Sequence, residues 1–186
     1  MKRFFDFVMS LIAILFFLPI NLLIFIIILF QFQNPIFISR RVGKNSKQFN
    51  MLKIRTLKFG APIKSTEDWD RHEINKYLLK FGNFLRNSNL DENLQFYSVL
   101  LGHMSIVGPR PLLPSQKKLI NDRKIKKIDT LLPGITGYAQ VFDTTNAKLN
   151  KVKMDYIYLK NKNLFLDMQI IFLTFILVIK KIFKIH

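Results

Sequence analysis

The stretch that decides the fold is LIAILFFLPINLLIFIIILF, Leu11–Phe30, in which Asn21 is the single polar residue. Twenty helical residues cover roughly 30 Å, about the hydrocarbon thickness of a bilayer. The run exceeds the ~7–15 apolar residues of a signal-peptide core and no small-residue cleavage site follows it, so a bilayer-inserted helix is expected. Both flanks are basic. Lys2 and Arg3 precede the run, Arg40, Arg41, Lys44 and Lys47 follow it, and no acidic residue lies between Asp6 and Glu67. Positive charge prefers the cytoplasmic side, so a crossing helix has no preferred orientation, whereas a re-entrant one satisfies both flanks. Pro19 removes a backbone donor near the middle of the run and favours a kink, as in a helix-break-helix insertion. Proline also occurs in spanning helices, and the residues alone leave both insertions open. Asp6, a carboxylate near the membrane, needs a partner. Lys2 and Arg3 are the nearest cations, and Lys2 stands at i−4 on a helix.

Outside this segment the chain is strongly basic, with 29 Lys and Arg against 12 Asp and Glu and a net charge of +17 over 186 residues. Such a balance implies an anionic partner: nucleic acid, lipid headgroups or a phosphate-bearing substrate. No helix-turn-helix, zinc-finger or RNA-binding fingerprint accompanies the charge, so no nucleic-acid partner is expected. Cysteine is absent, which excludes disulfides, thiolate metal sites and a Cys nucleophile.

Working toward the C-terminus, Pro35–Arg41 reads as a strand, Val42–Asn45 as a turn, and Phe49–Thr56 as a second strand with Lys53 and Arg55 on one face. Gly60–Asp70 is loop-like; Glu67, Asp68, Asp70 and Glu73 form an acidic cluster that could bind a cation but reads better as solvated. Helical spacing appears over Tyr77–Leu85, Asp91–Leu101, the basic Lys117–Lys127, and Leu149–Leu159. Leu164–Ile179 is apolar but carries Asp167, Gln169 and Thr174 and is followed by Lys180, Lys181 and Lys184. It is short for a crossing and reads as a helix lying in the interface, its lysines toward headgroups. The expected organisation is a membrane-inserted helix over 1–33, a cytosolic catalytic domain over 34–163 and an interfacial helix over 164–186. The fold class is α+β and mainly helical, with a short β-hairpin.

Three segments could carry chemistry. In Ser88-Asn-Leu-Asp91-Glu92, Ser88 with Asp91 three residues on has the shape of a helix N-cap; a carboxylate held ionised at a helix start can also act as a nucleophile, and its neighbour can hold Mg²⁺. In Gly108-Pro-Arg110-Pro111, two prolines present a guanidinium from a stiff loop, suited to clamping phosphate. In Pro133-Gly-Ile-Thr-Gly137, glycines would let the backbone approach a ligand. His72, His103 and His186 are scattered without metal-ligand spacing.

Read in order, these segments resemble the bacterial sugar transferase family, the monotopic phosphoglycosyl transferases. The resemblance runs from Lys2-Arg-Phe-Phe-Asp6 through Phe49–Thr56 and Phe84-Leu-Arg86. It is strongest in Leu90–Phe96 and Gly102–Leu112, and it continues through Pro133–Val141, Asp155–Tyr158 and Asp167. It implies a catalytic pair at Asp91 and Glu92. The Asp would attack the sugar-linked phosphorus of a UDP-sugar and release UMP, and a polyprenyl phosphate would then take the phospho-sugar. Glu92, with Asp91, would hold Mg²⁺. Arg86 and Arg110 are expected near the phosphates, with Lys53, Arg55, Gln140, Asp155 and Tyr158 as further substrate-binding residues. Lys2, Arg3, Asp6 and Pro19 would mark the membrane entrance. The implied membrane helix is re-entrant with both ends cytoplasmic, which places the protein at the bacterial inner membrane with its active site on the cytoplasmic face. Implied partners are the UDP-sugar, polyprenyl phosphate, membrane lipid and downstream glycosyltransferases of surface-glycan assembly. The chain departs from the family pattern at Leu18, where Ser commonly precedes the proline, at Leu132, where Arg is common, and at Tyr138, where Trp is common. If the family's arginine there contacts the donor, this chain has to use another cation or a different donor pose.

Overall fold

The computed structural model describes residues 1–64, 69–142 and 148–183. It is mostly helical, with two small two-stranded sheets. Helix α1, Lys2–Leu29, is the one described helix long and apolar enough to cross a membrane. The helix runs on through Pro19, the position at which the sequence favours a kink. Its buried residues are Asp6, Ser10, Asn21 and Ile28, spaced so that a period of 3.6 brings all four to one side. The usual amphipathic arrangement is thereby inverted. The polar side chains face the protein, while Phe4, Leu15, Phe16, Leu23 and Phe30 point outward.

The polar face is what docks α1. Asp6 is 1% exposed and accepts hydrogen bonds from the Ser105 hydroxyl (2.8 Å) and the Ile106 N–H (3.1 Å). It does not pair with Lys2 or Arg3, as its sequence neighbours had implied. Those two reach elsewhere: Lys2 Nζ to Asp167 (2.6 Å), and the Arg3 guanidinium to the carbonyls of Val99 (2.6 Å) and Leu100 (2.9 Å). The latter two carbonyls end helix α4, Gln95–Leu100, where a cation meets the negative end of the helix dipole. Near the other end of α1, Ile28 joins Ile54, Leu79, Leu85 and Leu94 in a small core, flanked by Ile24 and Phe25. A second core gathers Met51, Val99, Met104, Val107, Tyr158 and Ile170.

The expected hairpin forms from β1, Ile36–Val42, and β2, Gln48–Ile54, in antiparallel register with Phe37 opposite Lys53 and Arg41 opposite Phe49. The helix expected over Tyr77–Leu85 is instead two, α2 (Arg71–Tyr77) and α3 (Gly82–Asn87). Between them Leu78 bridges Leu57, and Phe81 takes a left-handed φ of 63°. Tertiary pairing overrides the local apolar spacing there. Of the acidic cluster, Asp70 caps α2 through His72 and Glu73 N–H and Glu73 pairs with Lys64; Glu67 and Asp68 lie outside the described residues.

A second sheet was not legible. Strand β3, Ser105–Val107, pairs in parallel with β4, Gly134–Thr136, each too short for an alternation signal. Glycine is required here by a close approach between the two backbones: a Cβ on Gly134 would collide with Gly108 N and Thr136 O, and one on Gly108 with Leu132 O. The remaining helices are α5 (Lys117–Ile125), α6 (Tyr138–Phe142), α7 (Lys148–Asn161) and α8 (Leu164–Phe183). On α8, Asp167 and Ile170 are buried, while Phe165, Phe172 and Phe175 are exposed.

The glycine contact yields a first prediction. Because the atoms facing Gly134 are backbone and cannot rotate away, Gly134→Ala destabilises the fold by about 3 kcal/mol. Thermal unfolding of the detergent-extracted protein checks this; an unchanged Tm means the strands do not approach as closely as described.

Candidate active site

The sequence from Ser88 to Glu92 does not form the expected cap. Ser88 ends α3, and its hydroxyl donates back to the carbonyls of Phe84 (2.8 Å) and Leu85 (3.3 Å). Asn89, at φ 56°, turns the chain; asparagine tolerates this left-handed conformation better than most residues. A single 3-10 turn, Leu90–Glu92, follows, and α4 begins three residues later, so the helix expected over Asp91–Leu101 is interrupted at its start. The turn places both carboxylates in one cleft of about 1150 Å³, whose walls include Arg41, Lys53, Arg86, Arg110 and Lys181.

The two carboxylates live in different environments. Glu92 Oε1 accepts from Lys53 Nζ at 2.7 Å and from the Arg110 guanidinium at 3.2 Å. Burial by itself would raise its pKa, but the charges and hydrogen bonds of Arg110 and Lys53 hold it well below the usual carboxylate range. Asp91, 8% exposed, makes no side-chain hydrogen bond among the described residues. Burial pushes its pKa up to about 6, against the pull of Lys53, Arg86 and Lys181 and with a further push from Glu92. One carboxylate is thus anchored and anionic. The other is desolvated and poised to gain from any cation or electrophile that reaches it.

No three His, Asp or Glu side chains gather as a metal cage among the described residues. Asp91 and Glu92 nevertheless fit Mg²⁺. They are adjacent hard oxygen donors on an open cleft, and Mg²⁺ is commonly held by one or two carboxylates with phosphate oxygens and water completing the shell. The under-partnered, desolvated Asp91 carboxylate is the observation that favours a cation there.

The other sequence-nominated residues divide. Lys53, Arg86 and Arg110 stand around the pair. Arg55 and Gln140 line the cleft but are engaged locally: Arg55 bonds the carbonyls of Asn34 (2.7 Å) and Ile36 (3.3 Å) and stacks over Phe59, while Gln140 donates to Ile135 O. Asp155 also lines the cleft, locked to Arg123 at 2.6 Å, with burial raising its pKa against the Arg123 charge. Arg123 donates in turn to Arg110 O (2.7 Å), so Asp155 positions the Arg110 loop. Tyr158 is a correction. It is 2% exposed, lies outside the cleft, and donates to Asp167 Oδ1 at 2.6 Å beside Lys2; its apolar neighbours place it in the core. Lys2, Arg3 and Asp6 secure the end of α1, as above, and Pro19 sits within that helix.

Three site residues were missed. Arg41 bonds Ser39 Oγ (3.1 Å) and Pro111 O (3.5 Å), its pKa brought down to about 10 by burial and by Arg110, against Glu92. Its flank position had marked it as a membrane cation, although the hairpin register puts it on the same sheet face as Lys53. Arg123 sat unremarked in a basic helix. Lys181 had been assigned to headgroups, yet its ammonium reaches Arg86 O and Asn89 Oδ1, both at 2.9 Å. No local signal marks the latter two, because their contacts span 32 and 92 residues of sequence. Leu132 is not on the cleft wall; Arg41 and Arg123 are.

The cleft thus joins paired carboxylates to several cations and lies beside one long apolar helix, to which its lining residue Phe17 belongs. Residues 1–181 match the family model described as bacterial sugar transferase. The chain is 32% identical over 189 residues to a UDP-N-acetylgalactosamine-undecaprenyl-phosphate N-acetylgalactosaminephosphotransferase of Aeromonas hydrophila, covering 93% of this chain and 42% of that protein. It is 32% identical over 184 residues to a UDP-glucose:undecaprenyl-phosphate glucose-1-phosphate transferase of Klebsiella pneumoniae, covering 93% and 39%. It is 30% identical over 188 residues to the exopolysaccharide production protein ExoY of Rhizobium meliloti, covering 93% and 83%. The chain belongs to the bacterial sugar transferase family. It spans about two fifths of the length of the first two relatives.

The Asp91 environment makes a testable demand on stability. Its carboxyl titrates near 3.8 when unfolded and near 6 when folded, so the folded state holds the extra proton between those values. The cost of ionising it is absent below the lower pH, grows between the two, and is complete above the upper one, on the order of 3 kcal/mol. Asp91→Asn therefore raises the Tm at pH 8, and the gain shrinks toward zero as the pH falls to 4. A Tm difference that does not change with pH removes the desolvated Asp91 from the account.

Proposed function

We propose that this protein transfers a sugar-1-phosphate from a UDP-sugar to a polyprenyl phosphate such as undecaprenyl phosphate. It acts at the cytoplasmic face of the bacterial inner membrane, at the start of surface-glycan assembly. The observation that carries this reading is the asymmetric pair: an ion-paired Glu92 beside a desolvated, under-partnered Asp91, in a cleft ringed by cations. The activities for which the Aeromonas and Klebsiella relatives are named support the same reaction.

In the mechanism, an Asp91 carboxylate oxygen attacks the sugar-linked phosphorus of the donor. The bond from that phosphorus to the bridging oxygen breaks, and UMP leaves with the bond's electron pair. The phospho-sugar remains on Asp91 as an acyl phosphate. A phosphate oxygen of the polyprenyl carrier then attacks the same phosphorus, frees the carboxylate and gives a polyprenyl diphosphate sugar. Phosphoryl transfer requires positioning and charge neutralisation more than acid–base work. Lys53, Arg110 and Arg41 supply that charge from the hairpin and the Gly108–Pro111 loop. Mg²⁺, held by Glu92 and Asp91, would supply additional neutralisation of the diphosphate when bound. Because the phospho-sugar waits on Asp91, donor and acceptor can use the centre in turn.

A re-entrant seat for α1 is part of the proposal. At 28 residues the helix is about 42 Å long, yet Arg3 and Asp6 near its start and Ile24, Phe25 and Ile28 near its end all pack on one body. A helix that crossed the bilayer would carry its far end away from that body.

Three outcomes follow. Asp91→Asn abolishes UMP release and the covalent phospho-sugar intermediate while the protein stays in the membrane fraction; retained turnover ends the nucleophile assignment. The UMP burst slows once acid protonates Asp91, because the neutral carboxyl is no nucleophile; a rate that stays flat until the protein unfolds in acid contradicts this. Glu92→Gln raises the Mg²⁺ concentration for half-maximal release roughly tenfold, and an unchanged titration removes Glu92 from the metal site.

A further inference from the structure

The cleft has two chemically different kinds of wall. Around Glu92 it is formed by the hairpin and the proline-bracketed loop, with Lys53, Arg110 and Arg41. It is walled as well by Phe17 of α1, Phe96 of α4, and Leu177, Val178 and Lys181 of α8. The rings of Phe17 and Phe96 stack with centroids 6.2 Å apart. Leu177, Val178 and Lys181 are spaced to share one side of α8. This apolar wall runs onto the outward faces of α1 and α8, where Phe16, Leu18, Phe175 and Leu177 are exposed. A soluble nucleotide has no use for such a wall, whereas an isoprenoid chain entering from the lipid does.

At the inner edge of this wall stand two cations. The Lys181 ammonium sits between Arg86 O and Asn89 Oδ1, each at 2.9 Å. Of its three donors, these contacts engage two. The Arg86 guanidinium makes no hydrogen bond or ion pair among the described residues. Both cations act electrostatically on Asp91, so an anion held by them would lie beside the carboxylate that carries the phospho-sugar.

We infer that Lys181 and Arg86 grip the phosphate of the lipid acceptor, with its chain leaving along Phe17, Phe96, Leu177 and Val178. Lys181 is then an acceptor-binding residue delivered by the last turn of α8, and it couples that helix's seat at the membrane to the active site. The assignment rests on the transfer reaction proposed above, which needs a lipid phosphate beside Asp91.

The test is equilibrium binding to the full chain in detergent, titrated separately with geranylgeranyl phosphate and with UDP, the part common to the donors. Lys181→Met keeps the length and apolar character of α8 and should weaken geranylgeranyl phosphate binding at least tenfold while leaving UDP affinity within twofold. Lys181→Arg should restore most of the lipid affinity, which a merely structural role for the side chain would not require. Geranylgeraniol, which lacks the phosphate, should bind weakly and equally to all three proteins. Equal affinity of wild type and Lys181→Met for geranylgeranyl phosphate overturns the inference. So does a loss of UDP binding in place of lipid binding, which would assign Lys181 to the donor. Because these readouts need no turnover, they are separate from UMP release, whose absence would count against the reaction alone.

Discussion

The structure depends on a helix that is held by its few polar residues. An α1 apolar on every exposed side gains little from packing its leucines on protein if lipid is the alternative, because hydrocarbon satisfies them equally well. Buried hydrogen bonds are different, since an apolar medium offers a carboxylate or an amide nothing in exchange. Asp6 therefore locks to Ser105 and Ile106, and Asn21 accepts from Asn93 Nδ2 at 2.7 Å. Both contacts fall beside elements of the candidate site. Ser105 begins β3, which leads into the Arg110 loop, and Asn93 directly follows Asp91 and Glu92. The seat of the helix and the geometry of the Leu90–Glu92 turn are therefore one problem of polar satisfaction.

The same economy of partners explains the difference between adjacent carboxylates. Glu92 meets two cations from separate elements, one on β2 and one on the proline-bracketed loop. Asp91, one residue earlier, points where no hydrogen-bond donor among the described residues reaches it. Nothing in the pair itself distinguishes the two. The distinction comes from which long-range neighbours the 3-10 turn presents to each, and the left-handed Asn89 sets the direction of that turn. In the proposed chemistry the anchored anion and the reactive one have separate tasks, and the fold assigns them.

Local pattern was a fair guide where a segment's own residues decide its conformation. The hairpin, the basic α5 and the long α7 and α8 were legible because alternation or helical spacing runs over enough residues. Pattern misled where partners were remote. The Tyr77–Leu85 spacing looked helical until Leu78 paired with Leu57. Ser88 looked like an N-cap, but α3 had not ended. The Gly134 and Gly137 backbone serves the close approach to Gly108. Tyr158 looked like a substrate contact, while its hydroxyl answers buried Asp167.

By itself the sequence determined the long apolar helix, the basic character that calls for an anionic partner, and, through the ordered motifs, the family and the proposal of Asp91 and Glu92 as the reacting pair. These are properties of composition, periodicity and order along the chain, which survive without knowledge of contacts. Only the tertiary structure decided which cations attend which carboxylate, that Asp6 bonds β3 rather than its basic neighbours, and that Lys181, ninety residues from Asp91, stands next to it. The physical reason is common to all three: a charge buried in a fold takes its energy from whatever lies within a few ångströms, and distance along the chain carries no information about that.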